Sequence, residues 1–447
     1  MLTHYNTRKS NLSYFFILLL TVITNATTTQ DVQYCSKENP TGDKLCSDHS
    51  EFTNKRFILY DVNPPEGFNL RRDVYMRVAI FVKNLSVKDK RYDWHLVLPP
   101  WGNLYHWRST DVGSQSRIPW SRFFDVSSLQ KYVPAVELHD FLQEYPGVAR
   151  IDRVYILQND EDMFRTGKFE DKNQLIDCNL NQTPYFPTSS NSYTGRFWGH
   201  SSNITAADVK CLIFHGTMSD LKQNLYPDIY SSVMFDHMEI PLHDSYGSKE
   251  YWDARRSMRY SHTLYELANE YRQTYLNSND LADHTEQPPD WREERERRAL
   301  GGPYLCVHLR RRDFVTARRN TVPTIKGAAS QLNEKMKALN LSVIFVATDA
   351  EDYEYDELKS YLDKYTVLKY SPSRNVRTLY KDGGIAIIDQ IICSKARYFI
   401  GTHESTYTFR IQEDREIMGF PSETTFNRLC GKKGKCNSGG SWKIVWR

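Results

Sequence analysis

Short apolar runs recur along this chain, and most lead at once into a loop and then a helical pattern. "RFILYDV" passes through "NPPEGF" into "NLRRDVYMRVAIFVKNL". "WHLVLPP" opens an aromatic loop, "WGNLYHW", and "RVYILQ" follows at 153–158. The second half repeats the rhythm with "YLCVHLR", "LSVIFVATD", "YTVLKYS", the helical "GGIAIIDQIICSKA", and "RYFIGTH" running into "ESTYTFRIQ". Such alternation predicts βαβ units and parallel sheets. The natural α/β architecture is two Rossmann-like domains facing a central cleft, with ligands at the C-terminal ends of strands. Three other segments are predicted from pattern alone. Residues 160–203, rich in Ser, Thr, Asn and Pro, are expected to be an irregular insertion. One long helix is expected over 250–276. The charged run "REERERRAL" is expected to be a solvent-facing helix ended by Gly301, Gly302 and Pro303.

The N-terminus reads as a secretory signal peptide over 1–26. Arg8 and Lys9 carry positive charge, Leu12 to Ile23 is apolar, and "TNA" ends at Ala26. The apolar run is short for a bilayer span. The remaining chain divides into an N-terminal domain, 27–249, and a C-terminal domain, 250–447. A net charge of +3 on 447 residues is too close to balance to imply nucleic acid as the main partner. Secretory entry makes the eight cysteines readable. Local spacing favours bridges Cys35–Cys46, Cys178–Cys211 and Cys430–Cys436, while Cys306 and Cys393, in apolar surroundings, are expected as free thiols. Sequons stand at Asn84, Asn181, Asn203 and Asn340.

Four constellations could carry chemistry. "VHLRRRDF" ends a strand in Arg310, Arg311 and Arg312, whose forks match phosphate; the plain alternative is internal pairing with neighbouring acids. "RYFIGTHESTYTF" places Ser405 and Thr406 at a helix start, suited to an anion or to simple capping. Asp389 sits among isoleucines in "AIIDQIIC"; it could pair with Arg397 or Arg410, or accept the paired N–H donors of a guanine ring. Glu66 lies in a stiff Pro-Pro-Glu-Gly loop, either stabilised by the helix dipole or acting as a general base. Asp160 and Asp162 in "QNDEDMF" resemble a metal-binding D-x-D, but they read as a solvated turn.

Taken together, H-x-R-R-x-D after a strand, D-G-G-x-A-I-I-D-Q and G-T-x-x-S-T-Y resemble the fucosyltransferases that use GDP-fucose. With "YDVNPPEGFNLRRDVYMR", "LVLPPWG", "GSKEYWDARRSM" and "GGPYLCVHLRRRDF", the chain is similar to the protein O-fucosyltransferases acting on thrombospondin type 1 repeats. The likeness covers nearly all of the chain after the signal peptide. It implies a GT-B fold and inverting, metal-independent transfer in the lumen of the endoplasmic reticulum. GDP-fucose would be the donor, with no cofactor, and folded thrombospondin type 1 repeats the acceptors. A monomer without stable membrane insertion is expected.

The resemblance also assigns roles. Glu66 corresponds to the family's catalytic base, and Arg310 would stabilise departing GDP. Nucleotide-sugar contacts fall on Pro65, Glu66, Gly67, Phe68, Asn69, His308, Leu309, Arg310, Asp389, Thr406 and Tyr407, with Ser405 assisting. The family often has Phe where Tyr407 stands. Two other functions stay open on the residues alone. One is fucose transfer to another disulfide-rich acceptor; the other is a non-catalytic folding helper for such domains.

Overall fold

The computed structural model describes residues 54–179, 181, 183–431 and 440–446. The expected signal peptide, the expected Cys35–Cys46 bridge and Cys436 lie outside the described residues.

Two sheets carry the fold. The first contains β1 (Lys55–Tyr60), β2 (Asp93–Leu98), β3 (Ala135–Glu137), β4 (Ala149–Gln158), β5 (Lys172–Ile176), β6 (Tyr185–Pro187), β7 (Tyr193–Gly195), β8 (Ile204–His215) and β9 (Ser232–Asp236). Their order is β3-β2-β1-β9-β4-β8-β7-β6, with β5 also on β8. The run from β3 to β8 is parallel. The second sheet is wholly parallel, β12-β11-β10-β13-β14. It is built from β10 (Gly302–Leu309), β11 (Val343–Thr348), β12 (Thr366–Leu368), β13 (Ala396–Gly401) and β14 (Asn427–Arg428). Continuous burial along "RFILY" and "YLCVHL" fits strands covered on both faces.

The Phe68–Lys88 helix is buried on most of its circumference because it packs on β2 and on the helices Lys249–Ser257 and Thr406–Met418. Charged side chains fill part of that junction. Arg255 donates to Glu413 at 2.6 Å and to Asp414 at 2.6 Å, and Arg410 pairs with Glu413 at 2.8 Å. Arg72 Nη1 donates to Gln390 Oε1 at 2.8 Å. Glu413 and Arg72 are fully buried, so these contacts hold charges that would otherwise be stranded away from water.

Four expectations need correction. The long helix is two, Lys249–Ser257 and His262–Tyr275. Between them the backbone turns to pair elsewhere: Asp125 N donates to Arg259 O at 3.0 Å, and Ser261 N to Phe123 O at 2.9 Å. The charged run forms only one short turn, Trp291–Glu293. Glu294 is buried and ion-paired with Arg259 at 3.0 Å and Arg297 at 3.4 Å, which holds the segment down. The insertion is partly ordered into β5, β6 and β7, which pair antiparallel within the sheet.

The fourth concerns cysteines. Cys306 and Cys393 are bridged rather than free, with Cα atoms 5.1 Å apart. Burial places them face to face, one on the central strand β10 and one on the Arg374–Ser394 helix that covers it. Cys178 is bridged to Cys211, fastening the insertion to β8. Of the sequons, Asn181, Asn203 and Asn340 are exposed and Asn84 is half-buried. Among the described residues no helix is long and apolar enough to cross a membrane.

Candidate active site

Both sheets present their chemistry at strand C-terminal ends. β1 runs into the Glu66 loop. Glu66 N donates to Asn63 O at 3.0 Å, closing a turn with Pro64 and Pro65 at its centre. Arg71, one turn into the following helix, staples this loop. Its guanidinium donates to the carbonyls of Val62, Asn63 and Glu66, each at 3.1 Å, and to Asp61 Oδ1 at 3.3 Å. Glu239, just beyond β9 and buried, accepts from Asn63 N at 3.1 Å. The Glu66 side chain is half-buried. Burial raises its pKa, the nearby Glu239 carboxylate raises it further, and Arg71 opposes both. A base moved towards neutrality is better matched to taking a proton.

On the other sheet, β10 ends at His308 and Leu309, and Arg310 follows. Thr402, just past β13, accepts from Arg310 N at 2.9 Å and donates to His308 O at 3.0 Å, tying the two strand ends. The Thr408 hydroxyl donates to Thr402 O at 3.1 Å, so His308 Nδ1, 2.8 Å from that hydroxyl, must be the donor between them. Nε2 is then the acceptor nitrogen. Burial, reinforced by Arg310, pushes the His308 pKa down to about 3. Its ring stacks on Tyr407 with centroids 4.3 Å apart. The Tyr407 hydroxyl donates to Ala386 O at 2.9 Å, so the extra oxygen relative to Phe is satisfied.

All three arginines of "RRR" make internal ion pairs. Arg310 is held by Asp313 and Asp349, Arg311 by Glu354 at 2.6 Å, and Arg312 by Glu351 at 3.4 Å. Arg310 nevertheless reaches the loops of the first sheet, because Nη2 also lies 3.2 Å from His106 Nδ1. Asp389 behaves otherwise. Arg397 donates to Gly301 O at 2.9 Å and Arg410 pairs with Glu413, so neither serves it. Asp389 Oδ1 is shielded from solvent and has no hydrogen-bond partner among the described residues. Burial drives this carboxyl well above the usual range. A shielded acceptor without a donor suits a ligand that brings donors.

The other expected residues divide. Ser405 is buried and precedes the Thr406–Met418 helix, but it makes no side-chain cap. Leu309 is buried, and Thr406 is half-buried. Phe68 belongs to the core, packed edge-on against Trp101 at 4.7 Å. Asn69 Oδ1 accepts from Gln390 Nε2 at 3.0 Å, joining the Glu66 loop to the Asp389 helix. Asp160 caps the helix Glu161–Thr166 and pairs with Lys172, a structural role.

Sequence reasoning missed His106, Arg71 and Gln390. His106 lies in "WGNLYHW", the loop after β2, on the same sheet edge as Glu66; that position was the available signal. A Cβ on Gly67 would come within 3.2 Å of the His106 ring, so the glycine lets the two loops touch. The D-G-G motif also has a structural reason. Asp382 accepts from Ser109 N and Gln115 Nε2, each at 3.0 Å, and a Cβ on Gly383 would meet Trp107 at 2.6 Å. Motifs on the second half thus grip the aromatic loop of the first.

A model of the GDP-fucose protein O-fucosyltransferases matches residues 57–418. The chain belongs to this family. GDP-fucose protein O-fucosyltransferase 2 of Homo sapiens is 46% identical over 398 residues, spanning 88% of this chain and 91% of the human protein. The Caenorhabditis elegans protein of that name is 42% identical over 443 residues, 97% of this chain and 100% of its own. The Drosophila melanogaster one is 40% identical over 412 residues, covering 87% and 82%. The crystal structure of POFUT1 with GDP superimposes with a TM-score of 0.54 at 16% identity, over 84% of this chain and 98% of that one. Its GDP-fucose complex gives 0.52 at 15%, covering 84% and 98%. At that identity the likeness speaks for the fold, which is of the GT-B type. As a member of the family, the chain is a peptide O-fucosyltransferase dependent on GDP-fucose.

Proposed function

We propose that this enzyme moves fucose from GDP-fucose to a Ser or Thr hydroxyl of folded thrombospondin type 1 repeats, with inversion at the anomeric carbon. Glu66 takes the hydroxyl proton while the hydroxyl oxygen bonds to the anomeric carbon. The bond from that carbon to the β-phosphate oxygen breaks, and GDP departs with the charge. Arg310 neutralises that charge, with Ser405 and Thr406 adding donors. Asp389 accepts the guanine N–H groups beside Tyr407 and His308. A permanent cation at the leaving group makes a metal-independent reaction the expected one. The likeness to relatives of the type 2 name, at 40–46% identity, supports the thrombospondin-repeat reading of the acceptor. The bridged cysteines suit the oxidising lumen of the endoplasmic reticulum.

One observation carries the mechanism: the loop of Glu66 and the guanidinium of Arg310, from different sheets, meet through the His106 ring. The test is fucose transfer to a folded repeat in the presence of EDTA, read by mass spectrometry. Glu66→Ala is expected to lose about 10²–10⁴ in rate while still binding GDP. Transfer at the wild-type rate would remove Glu66 as the base. Activity that returns only with a divalent metal would overturn metal independence.

A further inference from the structure

A cavity opens beside the Glu66 loop, on the N-terminal sheet's side. It has a volume of about 90 Å³, and its wall includes Pro64, Asn103, Arg117, Arg196 and Trp198. Such a space takes a few waters or one small head group rather than a whole sugar nucleotide. Pro64 is two residues from Glu66, at most about 7 Å of extended chain.

The wall is rich in donors and poor in acceptors. The guanidinium groups of Arg117 and Arg196 make no hydrogen bond or ion pair among the described residues. Both side chains are exposed. Trp198 Nε1 is a shielded donor without an acceptor. The acid on the wall, Asp61, already engages Arg71. The backbone is strained at this cavity as well. Arg117 and Trp198 each have a φ of 53°, in the left-handed region that side chains of this size rarely occupy. Such conformations persist where surrounding structure enforces them, and they gather at ligand sites.

We infer that this cavity is an acceptor-docking site, and that it takes a carboxylate side chain of the polypeptide being fucosylated. Arg117 and Arg196 supply the charge and the forks that a carboxylate matches. The inference rests on the proposed function, because it assumes a protein acceptor whose hydroxyl reaches Glu66. It adds a requirement: an acidic residue lying beside the accepting hydroxyl on the folded surface.

The test compares the full enzyme with Arg117→Glu/Arg196→Glu on a folded thrombospondin type 1 repeat. Transfer kinetics are measured, and GDP binding is followed by calorimetry. Reversing two charges is expected to raise KM for the repeat by roughly tenfold or more, with GDP affinity unchanged. A repeat whose acids around the accepting residue are changed to Asn or Gln should show the same rise with the wild-type enzyme, which guards against a variant that folds badly. An unchanged KM in both comparisons overturns the inference while leaving the transferase reading intact. A parallel loss of GDP affinity overturns it too, since the cavity would then serve a donor phosphate. Absence of transfer by the wild-type enzyme overturns both.

Discussion

His106 Nδ1 stands 3.2 Å from Arg310 Nη2, although the two residues come from different sheets. The imidazole is neutral there: enclosure by protein atoms, and then the Arg310 charge, push its pKa down to about 4 even though the ring reaches solvent. A neutral ring can accept from the guanidinium without repelling it. His106 is therefore a positioning residue for the leaving-group clamp. Hydrogen bonds to charged groups contribute about 1.5–3 kcal/mol. His106→Phe should raise KM for GDP-fucose about tenfold, and His106→Asn, which keeps an acceptor, should recover part of it. Steady-state kinetics with varied donor check this. A wild-type KM in His106→Phe would reduce the contact to packing.

Asp389 is expected to trade stability for selectivity. Asp389 is half-buried, and its shielded Oδ1 without a donor is unfavourable, so Asp389→Ala should melt at or above the wild-type temperature. The same change removes the acceptor for guanine. Preference for GDP over ADP should fall about 10–100-fold, the range of one or two hydrogen bonds to a charged group. Calorimetry with both nucleotides and a thermal melt decide it. Undiminished preference for GDP would place guanine elsewhere.

The strand ends that carry Glu66, Arg310 and Asp349 could be read from the sequence because apolar runs of strand length stop abruptly at polar residues. Asp389 was legible as an anomaly, a lone acid among isoleucines. What escaped was long-range pairing. Nothing in "SMRYSH" signals that its backbone will hydrogen-bond to 123–125 and so break a helix. Apolar surroundings argued for thiols at Cys306 and Cys393, yet the same burial set one against the other. His106 was hidden among aromatic neighbours that do belong to packing.

Acid should weaken the fold partly through His308. Its folded pKa of about 3 lies below the ordinary histidine value of about 6.5. Between those values the unfolded chain binds a proton that the native ring refuses. Stability from this group is therefore complete above about pH 6.5 and is lost as pH falls, by up to about 1.4 kcal/mol per pH unit. The raised Asp389 and Glu66 carboxyls act in the opposite sense, losing stability as pH rises. The informative quantity is thus the wild-type minus His308→Gln difference in unfolding free energy from pH 7 to 4. It should shrink steadily towards acid; a constant difference would contradict the neutral, buried ring.

The Cys306–Cys393 bridge closes a span of 87 residues between the central strand and the helix bearing Asp389. Removing a native disulfide typically costs about 2–4 kcal/mol. Cys306→Ala/Cys393→Ala should lower stability to denaturant by that amount and weaken GDP binding less. Equal denaturation midpoints for the two proteins would show that packing alone holds strand to helix.

The junction of Arg72 with Gln390 bears on how such a chain can change over generations. The two sheets look like exchangeable modules, yet a chimera taking one half from a distant relative would leave the buried Arg72 guanidinium facing a foreign side chain. Substitution on one side of the seam should therefore be tied to substitution on the other. Freedom lies instead beside the proposed docking cavity, at exposed positions such as Arg117 and Arg196. Divergence in acceptor choice should accumulate there, while the seam stays frozen.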